Sequence, residues 1–248
     1  MSSGRYNAPP VLGREPFTAF FWTLCAPFLF PVIGVVLVGA VSPAFAEMLS
    51  AATPAPEAIA QIWMVFACIH LVHFACLSLW SEHVGAGAFA GSMRASPNWI
   101  MAAVLFGPVI LLAPNMIAGM IFGGTEGWEY NGDVNMALFD PQNWGPVYLI
   151  FVLLLAPVLE EVTFRGVALG ALVTRGVPAW MAMALSSAAF TFLHLQYTVP
   201  ALVVVFVAGM GFAWLRLKSG SMLVPILAHI AANATITFLA SLAPPPAA

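Results

Sequence analysis

Charged residues are spaced along the chain so that they leave six long apolar runs. Residues 16–46, 58–81, 95–125, 141–159, 176–215 and 219–248 contain no Asp, Glu, Lys or Arg. A helix needs about 20 apolar residues to cross a bilayer. The run 176–215 is long enough for two crossings, and Gln196-Tyr197-Thr198-Val199-Pro200 is a turn signal within it. The pattern predicts seven helices, near 17–41, 58–80, 98–122, 146–173, 178–196, 200–216 and 221–242. The strict alternation of a transmembrane barrel is missing, and backbone groups in lipid must pair internally, which leaves helices. The predicted fold class is all-α: a polytopic membrane protein of about seven transmembrane helices with an intramembrane polar cavity.

Composition agrees with this reading. Hydrophobic residues make up 62% of the 248 positions and charged residues 7%. A soluble domain carries about 25% charged residues. An ordinary soluble enzyme, a disordered chain and a basic nucleic-acid binder are excluded, and no nucleic-acid partner is expected. The three cysteines, Cys25, Cys68 and Cys76, lie in apolar runs and form no CxxC or disulfide framework. Ala44-Phe45-Ala46 imitates a signal-peptidase site, but the run before it is too long for a signal sequence and is read as the first span.

Charge also predicts orientation. Arg5 and Arg14 precede the first span, Arg94 follows the second, Arg175 the fourth, and Arg216 and Lys218 the sixth. With seven spans all six fall on one side. The opposite loops carry Glu47, Glu57, Glu126, Glu129, Asp133 and Asp140 and no base. The positive-inside rule then puts the N-terminus in the cytoplasm. A short chain rich in Ala, Gly and Pro reads as bacterial, so the expected location is a bacterial inner membrane, with the lipid bilayer as a constant partner. Residues 123–145 read as a polar, Trp-containing interfacial loop. The expected organisation is an N-terminal membrane region over 1–143, a catalytic helical core over 144–243 and a tail over 244–248.

The candidate chemistry lies inside the spans. The fourth predicted helix carries Glu160, Glu161 and Arg165 near its middle. Each charge at the bilayer centre costs roughly 2.5–3.5 kcal/mol on insertion scales. Glu161 and Arg165 are four apart and can pair on one helix face, whereas Glu160 is rotated about 100° away and has no partner on its own helix. His194 ends the fifth helix, and His229 and Asn233 share a face of the seventh. Along straight helices these groups differ in depth by ~12 Å at 1.5 Å per residue, so tilt or a kink at Pro157 must bring them level. His70 and His73 share a face of the second helix; both could join a polar cavity, but interhelical hydrogen bonding is the favoured expectation.

Glutamate and histidine meeting in a partly wet pocket can activate water, with the carboxylate as general base. Asn and His can hydrogen-bond the oxyanion of a tetrahedral intermediate. That constellation reads as hydrolysis of an amide by direct attack of water. No Gly-x-Ser-x-Gly elbow is present, so covalent catalysis is not suggested.

The three motifs Glu160-Glu161-x-x-x-Arg165, Phe190-x-x-x-His194 and His229-x-x-x-Asn233 resemble those of the CAAX-protease and bacteriocin-processing (CPBP) intramembrane proteases, the Rce1-like group. The likeness covers roughly 145–240. It implies a membrane endopeptidase in which Glu160 activates water with His194, and His229 and Asn233 bind the oxyanion. Glu161 would support the site, as would Arg165 through a salt bridge, with Phe190 in the second motif. It implies a membrane-associated protein or peptide as substrate. No cofactor is expected; should zinc serve instead, Glu160, His194 and His229 would be its three ligands. The competing readings are a non-catalytic membrane binding or immunity protein and an ion-coupled transporter. The latter is disfavoured because the polar groups cluster in one half of the chain.

Overall fold

In the computed structural model the residues described are 9–51, 56–87, 90–122, 145–195 and 197–241. Among them no strand occurs, and eight helices follow in order. These are α1 (Pro16–Val41), α2 (Pro43–Ser50), α3 (Pro56–His83), α4 (Pro97–Phe122), α5 (145–174), α6 (Ala179–Phe192), α7 (Val199–Ser219) and α8 (Leu223–Ser241). The protein is an all-α polytopic membrane protein. All the helices but α2 correspond to the seven the apolar runs predict. The predicted interfacial loop over 123–145 lies outside the described residues except for its last position, and the tail 244–248 lies wholly outside them.

Four stretches are long and apolar enough to cross a membrane by length and composition: Pro16–Val41, Gln61–His83, Pro97–Ile121 and Val199–Ser219. Their outward faces carry large apolar side chains, among them Val41, Leu79, Met120 and Val199. In water such surface would be unfavourable; in lipid it is the expected exterior. The short α2 was not foreseen. Ser42 caps it by accepting from the Phe45 amide (3.3 Å), and Pro43 occupies its first turn.

One predicted helix is shortened. α6 has 14 residues instead of spanning 178–196. At 1.5 Å per residue it is ~21 Å long, against the ~30 Å hydrocarbon thickness. It stops at Phe192 because the next residues close a tight turn, with the amides of Leu193 and His194 bonding the carbonyls of Phe190 and Thr191. His194 therefore stands in a turn rather than on the helix.

Prolines shape two of the other helices. In α1 the turn Phe21–Cys25 is widened to i→i−5 bonding, just before Pro27; in α5 the turn Phe151–Leu155 is widened likewise, just before Pro157. A proline cannot donate to the ladder and its ring crowds the carbonyl four residues back, so the turn opens. A second wide turn, Val162–Ala168, follows directly after the paired glutamates.

The core joins the two halves of the chain. Trp22 of α1 and Leu77 of α3 pack with Leu159 and Val162 of α5 and Ile226 of α8. Phe212 of α7 packs with Ala103 of α4 and Ala228 of α8. α4 and α8 touch closely because Gly107 lies against the Ala228 backbone, where even a methyl group would collide. Small residues at such crossings are how helices pack without a hydrophobic effect between them.

Candidate active site

The fourth predicted helix, α5, carries the centre of the site. Arg165 Nη1 lies 3.0 Å from Glu161 Oε1, and both side chains are fully buried. The expected i,i+4 pair is formed. Arg165 is held from two further helices. Its Nη2 donates to the Gly209 carbonyl of α7 at 3.1 Å. Its guanidinium carbon lies 4.5 Å from the ring centre of Phe190 on α6 and 5.5 Å from that of Phe212 on α7. A side chain on Gly209 would press on Arg165 Nη2 and on Ser187, so glycine there makes room for the guanidinium.

His229 of α8 lies between the two glutamates. Its Nδ1 is 2.9 Å from Glu161 Oε1, and its Nε2 is 3.7 Å from Glu160 Oε2. Glu161 Oε1 can only accept, so Nδ1 carries the proton and donates. Nε2 is thereby turned toward Glu160, at a separation longer than a direct hydrogen bond. The ring itself is clamped flat against Phe212, with centroids 4.7 Å apart and planes at 18°. A buried carboxylate thus fixes both the tautomer and the orientation of the imidazole, as outer partners of functional histidines do elsewhere. The two adjacent glutamates have different surroundings. Glu161 is sealed, and Glu160 keeps 22% of its side chain accessible.

Glu160 opens onto a cavity of about 40 Å³. Glu160 and Thr163 of α5 line it together with His70 and His73 of α3, and Pro27 and Leu193 close it. A water needs roughly 10–15 Å³ of such space, so the cavity has room for two or three.

The wide turns serve the site. In the first, the Ala156 amide bonds the Phe151 carbonyl five residues back. Continuing that register, residue 157 would bond the Val152 carbonyl, but it is a proline. Asn233 Nδ2 of α8 supplies the missing donor at 3.0 Å. In the second, the Phe164 carbonyl accepts from the Leu169 amide and from Ser186 Oγ of α6 (2.8 Å). Wide turns of this kind recur at functional sites because they re-aim side chains without ending the helix.

The structure therefore gathers Glu160, Glu161, Arg165 and His229, with Phe190 against Arg165. It places the remaining two candidates differently. His194 Nδ1 donates to the Phe190 carbonyl at 3.1 Å, and its ring sits 4.9 Å from Phe190. No ion pair joins it to Glu160. Asn233 has one amide proton on Val152. Among the described residues no three of His, Cys, Asp and Glu are grouped to hold a metal ion, so the set Glu160, His194 and His229 does not form zinc geometry as placed.

His70 and His73 correct an expectation. His70 Nδ1 bonds the Phe66 carbonyl of its own helix at 2.8 Å, not a neighbour. His73 stacks on Phe30 (4.6 Å) and Trp22 (5.9 Å) of α1. Both line the Glu160 cavity, the alternative the sequence leaves open for them; sequence reasoning missed that Thr163 lines it too. The i,i+3 spacing of the two histidines was the available signal; which helix they faced was not.

Fold and site together define a class: a polytopic helical membrane protein with a glutamate–histidine–arginine cluster buried between spans. Residues 142–235 match the family model described as type II CAAX prenyl endopeptidase, Rce1-like. That region is similar to the Rce1-like type II CAAX prenyl endopeptidases, and all seven motif residues fall inside it. Residues 1–141 and 236–248 lie outside the match. No curated protein and no solved structure gives a significant match.

Proposed function

We propose that this protein is an intramembrane endopeptidase that hydrolyses a peptide bond of a membrane-associated protein or peptide by glutamate-activated water. The observation that carries the reading is the asymmetric pair of glutamates: one sealed and bound to Arg165 and His229, the other facing a water-sized cavity across from His229 Nε2. The family match over 142–235 supports the same class of reaction.

Glu160 takes a proton from water as the oxygen adds to the scissile carbonyl carbon. The C=O π electrons move to oxygen, where hydrogen-bond donors stabilise the charge. Glu160 then returns the proton to the amide nitrogen, the C–N bond breaks, and a carboxylic acid and an amine leave. His229, with Glu161 behind it, faces the Glu160 carboxylate and orients it. His194 and the free proton of Asn233 complete the donor set once substrate enters. Arg165 neutralises Glu161, so that the buried cluster carries less net charge. No metal is required by this sequence of steps.

The substrate approaches from the bilayer, and the chain sits in a bacterial inner membrane with its N-terminus in the cytoplasm. The basic residues between spans support that orientation. The test uses purified protein in nanodiscs with quenched-fluorescent peptides, one ending in a farnesylated Cys-aliphatic-aliphatic-X sequence and one unprenylated. Cleavage lost in Glu160→Gln at unchanged folding supports the reading. Equal cleavage by the variant overturns it.

A further inference from the structure

We infer that α3, which lies outside the family-matched region, supplies part of the reaction centre: His73 and His70, with Thr163 of α5, hold the water that Glu160 activates. The inference deepens the protease reading and rests on it.

Three observations carry the inference. The first is location: His70, His73, Thr163 and Glu160 line one cavity. The second is unmet bonding capacity. Thr163 Oγ1 and His73 Nε2 are buried, with 1% and 3% of their residues exposed, and neither has a hydrogen-bond partner among the described residues. Leaving such groups unpaired costs free energy comparable to a lost hydrogen bond, so buried polar groups of this kind are met by ordered water. The third is fit: the cavity has room for two or three waters, and a buried water is held by two to four polar partners. Glu160, Thr163, His73 and His70 are enough for that number.

The rings are placed rigidly. His73 packs against both Trp22 and Phe30, and His70 is fixed by its bond to Phe66 and by edge contact with Phe151 at 4.8 Å. With Nδ1 of His70 donating, its Nε2 is left as an acceptor. Water in the cavity then meets a carboxylate, a hydroxyl and two imidazoles. His229 Nε2 faces the same carboxylate at 3.7 Å and is not among the residues that line the cavity. A water so held is oriented before substrate arrives, which is how positioning contributes to rate. His70, His73 and Thr163 are positioning residues, acting on the substrate through the water.

The test has two arms, both on full-length protein in nanodiscs. Water-edited solid-state NMR measures polarisation transfer from water to the His73 ring and the Thr163 side chain. We expect transfer as fast as to surface residues. Kinetics on the peptide probes compare Thr163→Val, which keeps the shape, and His73→Phe, which keeps the stacking. Each should lower kcat about tenfold or more, with KM changed less than about twofold, and Thr163→Ser should restore most of kcat. Dry side chains, or wild-type kcat in both variants, overturn the inference. Absence of any Glu160-dependent cleavage instead defeats the protease reading, and the role assigned here falls with it. Cleavage that needs Glu160 but ignores Thr163 and His73 defeats this inference alone.

Discussion

Replacing Arg165 by Met keeps the length of the side chain and removes its charge. Glu161 is then left fully buried, with the hydrogen bond from His229 Nδ1 as its remaining polar contact. Breaking a buried pair by removing one member costs about 3–5 kcal/mol. The substitution also removes the bond to the Gly209 carbonyl and the contacts with Phe190 and Phe212. These losses share one side chain and do not add, so about 3–5 kcal/mol is the working figure. At roughly 2–4 °C per kcal/mol for a chain of this size, the melting temperature should fall by about 6–20 °C. Thiol-reactive dye melting in detergent reads this, because Cys25, Cys68 and Cys76 are free. The double variant Glu161→Gln/Arg165→Met removes the stranded charge and should melt above Arg165→Met alone. A variant that melts within about 2 °C of wild type, or a double variant that merely sums the two losses, would refute the pairing argument.

Other consequences follow from single contacts. Asn233→Ala strands the Val152 carbonyl beside Pro157 and should cost about 1–3 kcal/mol, read by the same melting assay; unchanged melting would show the carbonyl is otherwise satisfied. Gly107→Val forces α4 off the Ala228 backbone, and folded yield should drop sharply, whereas the same change at Gly85, where nothing lies within 4 Å, should act only through its left-handed φ of 75°. o-Phenanthroline should leave peptide cleavage intact; stoichiometric zinc whose removal and return switches activity would reverse the metal-free proposal.

Much of the architecture was legible because lipid imposes one rule: long uncharged runs must be helices. The six runs became the seven helices α1 and α3 to α8 for that reason. Glu161 and Arg165 were legible because their partnership is local, four residues along one helix. What sequence could not supply was rotation and depth. Whether His70 and His73 face lipid, a neighbour or a cavity depends on how α3 is turned against α1 and α5. The short α6 was hidden because Leu193 and Leu195 continue the apolar run through a turn. The role of Pro157 was only half readable. A kink was expected, but the wide turn and its rescue by Asn233 need the distant α8 in place. The same dependence on α8 explains why Glu160, without a partner on its own helix, meets His229 across the bundle.

The central claim is that Glu160 activates water to cut a membrane-associated chain. The most direct measurement compares wild type with Glu160→Gln at matched membrane levels in the native host, by mass spectrometry of protein termini in membranes and medium. The account predicts at least one protein whose processed terminus disappears in the variant while its full-length form accumulates. Identical termini in both strains, with the variant folded and present in the membrane, would contradict it.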